Sequence, residues 1–185
     1  MNNKGTIYIV RLKGFESSRV SNEMFHRLFR METGKTINYD GLDRGPHGKP
    51  EPIDGVFFNI SHSRNYYAVA FCGVECGIDI EEPREISEGL KKRILRHGER
   101  ILKGDVLNNW VLKEAYSKYL GLGLNMDFRE VSVDGIFDSE TVLDLSRERY
   151  VCFVVSGEKV DFNVVEMTTP NTRLRSRQHL CKSPH

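Results

Sequence analysis

At 185 residues, 39% of them apolar and 29% charged, the chain has the length of one ordinary domain or of two small lobes sharing a core, and the composition of a soluble globular protein. Its 27 basic and 26 acidic residues leave a formal net charge of +1, which excludes bulk electrostatic binding to nucleic acid or to a membrane surface; any charged site is local. The longest strongly apolar run, residues 66–72, is too short to span a bilayer, MNNKGT carries no signal-peptide core, and Cys72, Cys76, Cys152 and Cys181 lack zinc spacing, which together imply core thiols in a cytoplasmic protein.

The β-branched run at residues 6–12 (TIYIVRL) predicts a first strand. Residues 21–31 place Met24, Phe25, Leu28, Phe29 and Met31 at helical spacing, opened by Ser21 or Asn22 and closed by Gly34. Repeated Gly and Pro make residues 38–54 a structured loop. Residues 56–60 (VFFNI) and 66–74 read as strands with SHSRN between them, and residues 76–81 as a third strand broken by Pro83. From Ile86 to Asp105 the chain is predicted mainly helical with a break near Gly98. A helix follows in WVLKEAYSKYLGLGL, capped by Asn108 or Asn109 and stopped at Gly121. Asp134-Gly135 is a hairpin signal, and residues 150–155 and 161–166 are expected to pair across Ser156-Gly157. The last 17 residues, 169–185, are basic without apolar periodicity and read as a mobile tail.

Two stretches carry chemistry. Glu114 and Lys118 lie four apart, one turn above each other on one helix face with Lys113 beside them; alone, they amount to an ion pair on a solvated surface. In GIDIE, alternation sends Ile78 and Ile80 one way and Asp79 and Glu81 the other, setting two carboxylates on one face about 7 Å apart along the strand. Alone, that is an exposed acidic edge. A third carboxylate on the same patch would need compensation, since each like-charge contact at ~4 Å costs about 4 kcal/mol at an effective dielectric of about 20. Mg2+, a hard cation that keeps some waters and accepts phosphate oxygens, is the fitting counter-charge.

GIDIE followed by WVLKEAYSKYLGLGL resembles the signature of the 4′-phosphopantetheinyl transferases, and two more motifs match in order ahead of it: Gly48-Lys49-Pro50 and FNISHS at residues 58–63. That order, with 76 residues before Gly77, is similar to the larger, single-chain, two-lobed class and unlike the small class that assembles as a trimer. The motifs span residues 48–124, so the first 40 and last 50 residues are covered only by element pattern. The chain is shorter than is usual for the class, and His47 stands where a tyrosine is common before GKP, which bears on adenine-side contacts and not on the metal.

The resemblance implies an α+β fold, a pseudo-dimer of two similar lobes with the active site at their junction. The lobes would cover residues 1–82 and 83–168, ahead of the 169–185 tail. It implies Asp79, Glu81 and Glu114 as Mg2+ ligands, Lys118 at the phosphates of coenzyme A with Lys113 as basic neighbour, Lys49 in the coenzyme A loop, and Ser61 and His62 holding phosphates. Glu99, in RILRHGER, falls where the class often has a further catalytic glutamate. The implied reaction is attack by a carrier-protein serine on the β-phosphorus of coenzyme A, releasing adenosine 3′,5′-bisphosphate. Glu114, Glu99 or a water on the ion would take the serine proton. The implied enzyme is a cytoplasmic monomer with no nucleic-acid or membrane partner, and its carrier could serve fatty acid, polyketide or nonribosomal peptide synthesis. Lys91, Lys92, Arg93, Arg96, Arg100 and Lys103 form a basic cluster suited to an acidic acyl or peptidyl carrier, or else a solvated helix face. The alternative function is a non-catalytic coenzyme A or nucleotide-binding module with a retained pocket, which would tolerate loss of Asp79, Glu81, Glu114 or Lys118.

Overall fold

The strand β1 (Asn3–Arg11) is apolar on both faces, with Ile7 and Ile9 buried on one side and Tyr8 and Val10 on the other, which is the pattern of a strand flanked by neighbours and covered above and below. The computed structural model describes residues 3–13 and 17–169. After β1 come α1 (Ser17–Thr33), β2 (Phe57–Ser63), β3 (Tyr66–Cys72), β4 (Cys76–Glu81), α2 (Glu88–Ile94), α3 (Val106–Tyr119), α4 (Val133–Ser139), β5 (Thr141–Asp144), β6 (Val151–Ser156) and β7 (Val160–Thr168). The strands form two sheets, ordered β2-β3-β1-β7 and β4-β6-β5. All pairings are antiparallel except that of β1 with β7.

The burial pattern stacks these elements in four layers. Alternate residues of β1, β3, β4 and β6, among them Ile7, Ile9, Ala68, Ile78, Ile80 and Val154, form one core between the sheets. The opposite face of the first sheet packs on Met24, Phe25, Leu28 and Phe29 of α1, and that of the second on Leu107, Val111, Leu112 and Ala115 of α3. Fold class is therefore mixed α+β. Among the described residues, no helix is long and apolar enough to cross a membrane.

Several local expectations change. α1 starts at Ser17, four residues before Ser21, and ends as expected before Gly34 at φ +74°. α2 covers only part of the stretch after Ile86, with Gly98 at φ +71° in the loop that follows. Asp105, not Asn108 or Asn109, caps α3 by accepting from Leu107 N at 2.9 Å; Asn109 is buried and holds the preceding loop through Leu102 N and Arg100 O. Asp134-Gly135 sits inside α4, because Ser132 caps the helix through Gly135 N and Val133 and Ile136 bury one face. The hairpin across Ser156-Gly157 does not form: both edges of β6 are taken by β4 and β5, so β7 bonds to the open edge of β1. Strand pairing thus crosses the boundary at residue 82, with β4 in the second sheet and β7 in the first. Cys72, Cys76 and Cys152 are free, buried thiols; Cys181 and the tail after Thr169 lie outside the described residues.

Gly77 lets the second half of α3 lie directly on β4. A Cβ there would stand 2.1 Å from Ala115 O and 2.3 Å from Tyr119 N, both backbone atoms with no side-chain freedom to yield. Gly77→Ala is expected to push α3 outward and destabilise the protein by roughly 2 kcal/mol, or about 4–8 °C in melting temperature. Differential scanning calorimetry checks this, and an unshifted midpoint contradicts it.

Candidate active site

Because α3 rests on Gly77, the residues two and four positions further along β4 emerge beside it. Asp79 and Glu81 share the face of Gly77, and Glu114 and Lys118 descend α3 one turn apart. Asp79 is 6% exposed, and its Oδ1 accepts from Lys118 Nζ at 2.6 Å and Ser61 Oγ at 2.7 Å. Lys118 Nζ also donates to Ile78 O at 3.2 Å and Ile60 O at 3.5 Å. Glu81 Oε2 accepts from Ser63 Oγ at 2.5 Å, and Arg84 stands 3.6 Å from Oε1.

Glu114 is the residue out of balance. It is buried, and its Oε1 is one of two enclosed side-chain polar atoms without a hydrogen-bond partner among the described residues; the other is the neutral hydroxyl of Tyr67. Burial pushes its carboxyl up to about 7, the negative charges of Asp79 and Glu81 add to the rise, and Lys118 opposes it. No three His, Cys, Asp or Glu side chains among the described residues form a ready metal cage, and the cation set against Asp79 is Lys118. A stranded buried carboxylate repelled by two others nevertheless has the donor chemistry that a hard divalent ion relieves.

Beside Lys118 opens a cavity of about 200 Å³, walled by His47, Gly48, Lys49, Asn59, Ile60 and Gly121. Neither it nor the larger hollows of about 830 Å³ elsewhere is lined by Asp79, Glu81 or Glu114; what distinguishes it is Lys118, bonded to Asp79, in its wall. Lys49 Nζ donates to Tyr119 O at 2.9 Å, at the negative end of α3, and also binds Glu75. Arg44 Nη1 donates to Gly48 O at 3.0 Å and its guanidinium covers the Tyr39 ring, bracing the loop. The His62 side chain is exposed, and partial burial of its ring followed by the nearby Lys118 charge lowers its pKa, so it is neutral at pH 7.

Two expected site residues have another task. Lys113 lies about 140° around α3 from Lys118, so the helix turns it inward. Its side chain is 0% exposed and donates at 2.8 Å to Glu99 Oε2, Ile94 O and Phe128 O. Glu99, 1% exposed, also accepts from Arg96 N and Val133 N. These bonds enclose both groups, so Lys113 and Glu99 stand as a buried clasp that ties α3 to the loops before and after it, and Lys113 does not line the cavity beside Lys118. Ser61 is likewise enclosed. Its hydroxyl is buried on Asp79 and Ile80 N, not open to a phosphate. The sequence reading missed Asn59 and Ser63, although the alternation in FNISHS puts both on the face of Ser61.

In the ion-free protein, folded Glu114 retains a proton that the unfolded chain releases near its ordinary 4.5, so stability falls as pH rises from there to about 7. The full penalty above that window is roughly 3 kcal/mol. With chelator present, Glu114→Gln is expected to melt several degrees above the unaltered protein at about pH 8 and to converge with it near about pH 5. A variant that melts lower at the higher pH contradicts the strain.

Comparison with known proteins agrees with this architecture. A family model described as the 4′-phosphopantetheinyl transferase superfamily matches residues 75–169, just over half of the chain and the part containing β4 and α3. The chain is 29% identical over 126 residues to the 4′-phosphopantetheinyl transferase ffp of Bacillus subtilis and 29% identical over 123 residues to the transferase Sfp of Bacillus subtilis (strain 168), each match covering 60% of this chain and 55% of the relative. The transferase gsp of Aneurinibacillus migulanus is 29% identical over 100 residues, 49% of this chain and 42% of that one. The chain spans about half the length of the curated relatives it matches. A match over the segment that carries both chemical motifs identifies the chain as a member of the 4′-phosphopantetheinyl transferase superfamily.

Proposed function

We propose that the protein transfers 4′-phosphopantetheine from coenzyme A to a serine of an apo acyl or peptidyl carrier protein and releases adenosine 3′,5′-bisphosphate. The observation that carries this reading is the unpartnered buried oxygen of Glu114, a carboxylate repelled by Asp79 and Glu81, together with a cavity of about 200 Å³ walled by Lys49 and by Lys118, the partner of Asp79. Family membership supports it. Asp79, Glu81 and Glu114 would hold Mg2+, which supplies charge neutralisation at a pyrophosphate when bound. Lys118 and Lys49 meet the phosphates as cations, and neutral His62 meets them as a hydrogen-bond donor. With Glu99 spent on Lys113, the proton acceptors left for the serine are Glu114 and solvent. Positioning supplies the larger share of rate, ~7–11 kcal/mol for two correctly oriented partners. We take the two sheets, each backed by one long helix, as the two lobes and this site as their junction, in a protein that works as a cytoplasmic monomer.

The carrier would arrive along α3. Trp110, one turn before Glu114, lines a groove of about 500 Å³ with Leu90, Leu124, Phe128, Arg93 and Arg129, and Leu124 is 81% exposed. Of the basic cluster, Lys91, Arg100 and Lys103 are paired with Glu88, Asp134 and Asp144, leaving Lys92, Arg93 and Arg96 without an ion-pair partner among the described residues. An acidic, partly apolar carrier helix complements this edge.

Incubating the protein with coenzyme A, Mg2+ and a panel of apo carriers should add the mass of phosphopantetheine to at least one; Glu114→Gln and Asp79→Ala should abolish the addition while remaining folded. A fully active Glu114→Gln would remove the metal reading. Separately, Arg93→Glu with Leu124→Ser should raise the carrier KM roughly tenfold and leave the coenzyme A KM unchanged. Equal effects on both, or none, would dispose of this docking surface.

A further inference from the structure

Among the described residues, the edge of β4 that faces β2 has no backbone partner. β4 bonds to β6 on one side only, and its outward amides at Ile78 and Ile80, with that of Glu82 just beyond, meet side chains. Asn59 Oδ1 accepts from Ile78 N at 2.9 Å, Ser61 Oγ from Ile80 N at 3.3 Å and Ser63 Oγ from Glu82 N at 3.1 Å. Successive residues on one face of β2 thus act in place of a neighbouring strand. A serine hydroxyl has one proton to give and two lone pairs. Each serine, once its oxygen is held by the amide, gives that proton to the carboxylate one residue earlier: Ser61 to Asp79 at 2.7 Å and Ser63 to Glu81 at 2.5 Å. The same two-bond unit repeats two residues further along both strands.

We propose that Asn59, Ser61 and Ser63 form a positioning ladder in which Ser61 and Ser63 aim Asp79 and Glu81 at the ion, with Asn59 fixing the register. The inference rests on the metal reading above. It assigns Ser61 to the carboxylate and away from coenzyme A: the hydroxyl proton is committed, and the side chain is 5% exposed. Each hydroxyl occupies one carboxylate oxygen and leaves the other, Asp79 Oδ2 and Glu81 Oε1, without a hydrogen bond, with Arg84 an ion-pair neighbour 3.6 Å from Glu81 Oε1. Hydroxyls that hold a ligating carboxylate typically matter by 10–100-fold in metal affinity (about that range), without touching the metal.

The test is a Mn2+ titration of the full chain, read by electron paramagnetic resonance of free Mn2+ with coenzyme A present, alongside coenzyme A affinity in chelator. Ser61→Ala and Ser63→Ala should each weaken Mn2+ binding roughly tenfold, while coenzyme A affinity in chelator stays as in the unaltered protein. Ser61→Thr, which keeps the hydroxyl, should recover most of the loss. Ser87→Ala, which removes the cap of α2 far from the ladder, lowers stability and should leave Mn2+ affinity alone. Weakened coenzyme A binding in chelator with unchanged Mn2+ affinity would make Ser61 a phosphate contact and overturn the ladder. An equal loss in Ser87→Ala would reduce the effect to lost stability and overturn it as well. Unaltered protein that binds no Mn2+ would overturn the metal reading and the ladder with it, whereas normal binding in both serine variants would overturn the ladder alone.

Discussion

The backbone contact of α3 with β4 at Gly77 is the constraint on which the site depends. Helix and strand come so close that a single methyl group is excluded, and at that spacing the carboxylates of Asp79 and Glu114 feel each other through a poorly solvated gap. Lys118 offsets part of the repulsion by spanning Asp79, Ile78 O and Ile60 O, so one ammonium joins the edges of both sheets. What remains uncompensated is Glu114, and a strained charge of that kind is retained where a ligand completes it.

Lys49 extends the same arrangement. By binding Tyr119 O it fastens the Gly/Pro loop to the end of α3, so the cavity wall is tied to the helix that carries Glu114. The buried Lys113 and Glu99 do the equivalent on the far face, tying α3 to Ile94, Phe128 and Val133. A buried pair of this type adds little net stability but is costly to break, by ~3–5 kcal/mol when one partner is lost. It therefore acts as a lock on helix position.

How much of this was legible in the sequence depended on whether the information was local. Ile78 and Ile80 against Asp79 and Glu81, and the stop at Gly121, follow from period and backbone chemistry, and the structure has them so. Lys113 and Lys118 look alike in the motif; only the face that the core occupies separates the buried clasp on Glu99 from the partly exposed ammonium on Asp79. Asp105, Asn108 and Asn109 are all capping residues, and the choice fell to Asp105 because Asn109 is drawn into the loop before it. Partners of β7 were illegible for a related reason: alternation reports which faces are buried and is silent about which edge is free. FNISHS held the clue to its own role in the spacing of Asn59, Ser61 and Ser63, but the meaning of that spacing depends on β4 lying opposite with bare amides.

The parallel pairing of β1 with β7 has a consequence for biogenesis. β1 leaves the ribosome long before β7, yet among the described residues one of its edges pairs with that strand, which begins at Val160. At ordinary elongation rates that is a delay of roughly 10–30 s, during which an apolar strand shows open hydrogen-bonding groups to every other nascent chain. Completion of the first sheet is thereby postponed until translation has passed through the whole of the second, and the chemistry-bearing half of the molecule is made before the fold can close around it.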